Sequence, residues 1–199
     1  MIEKTISSPN SSPRPHGLES VWGAVIHWTA TGKGVSAEAV ARYFANPATD
    51  VASHDVIDRD GTVVHCVPYV RAAWHAGRCR RYDWDRDGTL EEWEAYANSV
   101  TVGFELCHLG PSEETWPNAQ IRSLATLIRR VDARCPNFKL RNVTDHEWLN
   151  LNGKIDVDAA FPAARLFWWI LHPRTPVPED GAYRHLPEWA QKQVDEIRK

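Results

Sequence analysis

The 199-residue chain reads as an α/β protein with a single mixed β-sheet flanked by helices. Short runs rich in β-branched and aromatic residues alternate with longer segments whose apolar residues recur at helical spacing. Two of the short runs flank a turn containing glycine, the signature of a β-hairpin. Strands mixed with helices, without internal repeats, suit one sheet covered on its faces.

The elements follow in order. Residues 1–18 are polar and rich in Pro and Ser, and predict a flexible N-terminal arm. VWGAVIHWTA (21–30) predicts a buried strand. VSAEAVARYFAN (35–46) predicts a helix, with Ser36 as N-cap and Pro47 beyond its end. SHDVID (53–58) and TVVHCV (62–67) flank Arg59-Asp60-Gly61 and predict a hairpin. TVGFELCHL (101–109) predicts another strand. Over 117–136, Ile121, Leu124, Leu127, Ile128 and Val131 fall at helical spacing before Pro136. Residues 157–171 predict a further helix packing Leu166, Trp169 and Ile170. The main domain is thus expected over 19–173. Residues 174–199 are expected to form a proline-rich linker and a short amphipathic helix.

Composition narrows the function. A net charge of −3 gives no reason to expect nucleic acid as a partner, since phosphates favour a basic face. No stretch is apolar and long enough to span a membrane. The N-terminus lacks the apolar run of a signal peptide, so synthesis in a cytoplasm is expected. Cys66, Cys79, Cys107 and Cys135 are widely spaced with no CxxC pair. That disfavours a disulfide framework or a thiolate zinc cluster and favours buried free thiols. The ten Trp would suit sugar rings if exposed, though most are expected in the core.

His27 ends a buried strand, His146 follows a strand, and Asp156 lies ten residues further on. Two His and a carboxylate with a fourth position open suit a catalytic zinc. With nine His in the chain, such triples also arise by accident, and spacing alone does not select this one.

IHWTATG (26–32), SHDVIDRDGTVVHCV (53–67), AAWHAG (72–77), SVTVGFEL (99–106) and DHEWLNLNGKID (145–156) resemble, in order, the landmarks of the type-2 N-acetylmuramoyl-L-alanine amidases. That family includes phage T7-like lysozymes, cytosolic muropeptide-recycling amidases and peptidoglycan-recognition proteins. The resemblance runs from about Val21 to about Leu171. It implies the amidase/peptidoglycan-recognition fold, a Zn²⁺ held by His27, His146 and Asp156, and catalytic roles for Glu105 and Lys154. Glu105 would be the general base and Lys154 the oxyanion's partner. His75 and Trp74, in the WHAG segment, are candidate substrate contacts, with core packing as the alternative for each. Around Lys154 the family's usual glycine and proline are partly replaced by Ile155, Val157 and Asp158, and Asp158 is the alternative to Asp156 as ligand, with Asp156 favoured by its spacing from His146. The implied substrate is peptidoglycan, cut between N-acetylmuramic acid and L-alanine, and the default state is a monomer.

One segment departs from that pattern. DWDRDGTLEEWE (83–94) fits the twelve-residue EF-hand loop. Asp83, Asp85 and Asp87 fall at positions 1, 3 and 5, Gly88 at 6, Thr89 at 7, Glu91 at 9 and Glu94 at 12. Six carboxylates in twelve residues would repel one another without a cation. A Ca²⁺ loop is therefore expected, grafted between two landmarks of the amidase and shaping its cleft. An acidic solvated loop is the plainer alternative. No entering helix is expected before it, while EEWEAYA suits an exiting one.

Because calcium is abundant outside cells, the sequence favours a lytic enzyme of the cell wall, such as a phage endolysin released by a holin. A recycling amidase and a non-catalytic peptidoglycan-binding protein are the alternatives.

Overall fold

A computed structural model describes residues 1–110, 114–149, 156–157 and 160–197. The chain begins with β1 (Glu3–Thr5) and β2 (Ser11–Pro13), followed by β3 (Gly23–Trp28) and α1 (Ala37–Phe44). The hairpin β4 (Asp55–Ile57) and β5 (Val63–His65) leads to β6 (Arg71–Ala73). A four-residue helix α2 (Ala97–Val100) runs straight into β7 (Thr101–Leu106). Then come α3 (Asn118–Arg134), β8 (Val143–Asp145), α4 (His146–Leu149), α5 (Ala163–Leu171) and α6 (Glu188–Ile197).

Among the described residues the main sheet has six strands in the order β1-β5-β4-β7-β3-β8. β4 and β5 pair antiparallel, and the other neighbours pair parallel. β2 and β6 form a separate antiparallel pair. The mixed α/β architecture is the one the sequence predicts. No described helix is long and apolar enough to cross a membrane.

Strand alternation decides which residues reach the core and which reach the site. From β3, Ala24 and Ile26 enter the core with Val102, Phe104 and Leu106 of β7, covered by α3, α5 and α6. Val25, His27, Gly103 and Glu105 therefore point to the opposite face. There α1 packs Val40, Ala41 and Phe44 against Val56 and Val64 of the hairpin. The predicted N-cap holds, since Ser36 accepts the backbone N–H of Ala39. At the hairpin turn Gly61 has φ +85°, and a Cβ there would lie 2.8 Å from the Ala119 carbonyl. All four cysteines are buried free thiols.

The structure corrects both ends. Residues 1–18 are not a flexible arm: β1 joins the main sheet beside β5, and β2 pairs with β6. Asn10 is buried, and its side-chain amide donates to the carbonyls of Phe44, Asn46 and Val51. Arg14 is 5% exposed and donates to the carbonyls of Tyr69, Arg71, Asn98, Ser99 and Thr101. A polar composition hid an anchor, because the segment is held by hydrogen bonds and not by apolar burial. At the other end, the expected short helix is α6, but it belongs to the main core, which therefore extends beyond residue 173. Ala190, Val194 and Ile197 are buried in the main core, and the Trp168 indole N–H donates to the Pro176 carbonyl across the proline-rich stretch.

Candidate metal centre and cleft

Parallel strands β3, β7 and β8 bring His27, Glu105 and His146 to the carboxyl end of the sheet. His27 and Glu105 are register partners on adjacent strands, so their side chains emerge side by side. His146 follows the last residue of β8. Carboxyl ends of parallel strands are where α/β sheets place ligands.

His27, His146 and Asp156 converge although the outer two are 129 residues apart in sequence. His27 Nδ1 lies 3.1 Å from His146 Nδ1 and 3.1 Å from Asp156 Oδ2, and His146 Nδ1 lies 3.2 Å from Asp156 Oδ2. All three residues are buried. Ligands about 2.0–2.1 Å from a tetrahedral zinc stand about 3.3 Å from one another. The donor set thus fits Zn²⁺ in spacing and in chemistry. Burial pushes the Asp156 carboxyl up, but His146 and His27 beside it outweigh that and hold it below the usual carboxylate range.

The cluster sits in a cleft of about 750 Å³ lined by Trp28, Thr29, Thr31, Val40, Tyr43, Trp74, His75 and Glu105, among others. Glu105 is half-buried on its wall. Lys154 lies outside the described residues, as do Ile155 and Asp158.

Trp74 and His75 both line this cleft, yet both are engaged by the protein. The Trp74 indole N–H donates to Ser12 Oγ at 2.8 Å. His75 Nδ1 meets His27 Nε2 at 3.0 Å, and its Nε2 meets Thr101 Oγ1 at 3.2 Å. Burial, with His27 and His54 nearby, pushes the His75 pKa far down. Asn98 Oδ1 accepts the N–H groups of His75, Ala76 and Gly77 and fixes this turn. Sequence reading missed Asn98 and Thr101. One signal was present: Gly103 inside a strand marks a close approach, and a Cβ there would lie 2.5 Å from His75 Cγ.

In the acidic loop, Asp83, Asp85 and Asp87 bring carboxylate oxygens within 4.8 Å of one another. Asp83 accepts the N–H groups of Asp87 and Gly88, and Gly88 takes φ +90°. Glu91 and Glu94 are not part of this cluster. Glu94 is buried and accepts the N–H groups of Trp84 and Glu91, while Glu91 accepts the Trp93 indole N–H. The Thr89 hydroxyl donates to Asp87. The expected exiting helix is a 3₁₀ turn over Glu92–Ala95 followed by α2.

No residue of 83–94 lines the cleft, contrary to the expectation that this loop shapes it. Trp84 instead packs over Gly23 at the opposite end of β3. The segment leading into the loop does touch the site's support. The Arg80 N–H donates to the Leu149 carbonyl, and Tyr82 packs edge-on against Trp148, both beside His146 in α4.

Residues 17–158 match the family model described as N-acetylmuramoyl-L-alanine amidase (Amidase_2). The 1,6-anhydro-N-acetylmuramyl-L-alanine amidase AmpD of Escherichia coli K12 is 30% identical over 115 residues, 58% of this chain and 56% of AmpD. The chain thus matches about half the length of that curated relative. A selenomethionine AmpD crystal structure superimposes with a TM-score of 0.64 at 26% identity, covering 82% of this chain and 92% of that one. The catalytic domain of XlyA does so with a TM-score of 0.55 at 25% identity, covering 78% and 90%. By the extent of the family match, the chain belongs to the N-acetylmuramoyl-L-alanine amidase family.

Proposed function

We propose that the protein is a zinc-dependent N-acetylmuramoyl-L-alanine amidase that hydrolyses the amide between N-acetylmuramic acid and L-alanine of peptidoglycan. The observation that carries this reading is the convergence of His27, His146 and Asp156 beside Glu105 in an open cleft. A zinc ion held by the three ligands would supply an acidified water and a polarised scissile carbonyl. Glu105, next to His27 in register, takes the proton of the attacking water and returns it to the leaving L-alanine amine. Lys154 offsets the negative charge that develops on the carbonyl oxygen. Trp74 and Tyr43 offer cleft surface for the substrate.

The finer reading is a lytic enzyme of the intact wall, a phage endolysin, with Ca²⁺ bound at Asp83, Asp85 and Asp87. Glu91 and Glu94, which stand near Asp85 and Asp83, and the Thr89 carbonyl would complete the set. The loop's position supports a stabilising role for calcium, exerted through Trp84 and the packing around α4. A recycling amidase acting on small muropeptides is the second reading, favoured by the match to AmpD.

The test is a digestion of purified peptidoglycan and, in parallel, of soluble anhydromuropeptides. Products are identified by mass spectrometry, with EDTA-treated and His27→Ala controls. New L-alanine amino termini, absent from both controls, are expected. Release from intact wall supports the lytic reading, and cleavage confined to soluble fragments supports recycling. New reducing ends would instead mean a glycosidase and overturn the proposal. Wall binding without cleavage would leave a recognition protein.

A further inference from the structure

His75 and Thr101 form a hydrogen-bond relay behind the metal cluster, and it ends on His27. The Thr101 hydroxyl has one proton. It lies 2.6 Å from the Ala97 carbonyl, which can only accept, so the proton is spent there. Toward His75 Nε2, at 3.2 Å, Thr101 Oγ1 must therefore accept. His75 Nε2 is thus the donor in that contact, and a His27 that ligates a metal through Nδ1 keeps its own proton on Nε2, which needs a lone pair at His75 Nδ1. That lone pair faces His27 Nε2 at 3.0 Å, so His27 Nε2 is the donor. His27 is left with its Nδ1 lone pair on the side of His146 and Asp156, where a metal would bind.

From this geometry we propose that Thr101 and His75 are positioning residues. They fix the tautomer and ring orientation of His27, so that its Nδ1 is the metal-binding nitrogen. The inference rests on the zinc reading above.

The surroundings are built for the relay. Thr101 is fully buried at the first position of β7. Two residues on, Gly103 leaves room for the His75 ring, which a Cβ would displace. Asn98 holds the backbone N–H of His75 and of the two residues after it. Partners of this kind behind a ligating histidine typically carry about 10–100-fold in metal affinity.

Thr101→Val is the informative variant, because it keeps the shape and removes only the oxygen. Without that acceptor, the His75 proton is no longer held on Nε2. Moved to Nδ1, it would donate to His27 Nε2 and place the His27 proton on Nδ1, in the way of the metal. Thr101→Ser restores the oxygen. Two readouts apply, and neither needs turnover: zinc affinity by chelator competition, and ¹⁵N chemical shifts of the His75 and His27 ring nitrogens.

The wild type and Thr101→Ser should show His75 protonated on Nε2 and, with zinc, His27 ligated through Nδ1. Thr101→Val should lose the fixed His75 tautomer and bind zinc about 10–100-fold more weakly. A Val variant with wild-type zinc affinity and the same His75 tautomer would overturn the relay. So would a Ser variant as weak as Val, which would mean packing and not hydrogen bonding. If Thr101→Val fails to fold, the His75 tautomer of the wild type decides: a proton on Nδ1 refutes the inference. Wild-type protein that binds zinc but cleaves no peptidoglycan would sink the amidase reading and leave the relay standing.

Discussion

The His27–His146–Asp156 cluster and the Asp83–Asp85–Asp87 cluster both place metal-competent atoms within 4.8 Å, but the fold assembles them differently. The first draws on β3, the end of β8 and a later segment, is buried, and is backed by side chains from other elements. The second comes from five consecutive positions, is half-buried to exposed, and is held by backbone N–H groups of its own turn. Bringing buried lone pairs and a carboxylate together is costly unless a cation or shared protons offset the charge. Exposed carboxylates are solvated whether or not an ion is bound. The first cluster's geometry is thus itself an argument for a ligand, whereas the second rests on its spacing.

Breaking the first cluster should have the largest effect. Asp156→Ala or His146→Ala should abolish stoichiometric zinc, measured by elemental analysis, and reduce turnover to background. Glu105→Ala sharpens the contrast between holding metal and using it. Its zinc content should stay at one equivalent while kcat falls about 10²–10⁴-fold. A Glu105→Ala enzyme with near-normal turnover would remove Glu105 from the role of base.

The second cluster predicts a smaller response. Zinc at 100 times its Kd should stabilise the fold by about 2.7 kcal/mol, if it binds the native state alone. Calcium should raise Tm in the same assay, and Asp85→Asn should erase the calcium response while leaving zinc content unchanged. Absence of any calcium shift in the wild type, with no heat of binding, would reduce the loop to a solvated acidic turn.

Much of the fold and the core of the site were legible before the structure. Alternation along β3 and β7 and helical spacing along α3 named the elements, because apolar burial imposes those periods. His27 and His146 were legible through the ordered landmarks around them. What stayed hidden was held by polar contacts between distant segments. Arg14 reads as one more charge in a polar arm, yet its guanidinium ties together carbonyls of residues 69–101. Thr101 reads as an ordinary strand residue, and its significance depends on where Ala97 and His75 lie. Hydrogen bonds across the fold leave no period in the sequence, so only a glycine such as Gly103 hints at them.

That hidden N-terminal anchor makes its own predictions. Arg14→Ala would leave buried carbonyls without a donor and should cost about 3 kcal/mol or more in urea unfolding. A flexible arm would show no change.

The smallest effect concerns pH and the β1 edge. Glu3 meets Arg130 and His65, and His65 also meets Asp55. The Arg130 hydrogen bonds, with His65, pull the Glu3 carboxyl down to about 2. The hydrogen bond to Asp55, with Glu3 beside it, pushes the His65 pKa up. For Glu3 the folded value lies below the unfolded one, so its contribution is present above about pH 4.5 and is lost as pH falls toward about 2. For His65 the folded value lies above the unfolded one, so its contribution is complete below about pH 6.5 and fades as pH rises through the raised value. Both groups are a third exposed, and screening limits the His65 contribution to about 1 kcal/mol or less. His65→Gln should therefore lower Tm at pH 6 and converge with the wild type at pH 9. A constant Tm difference between the two across that range would mean that the charge on His65 does not hold β1 in place.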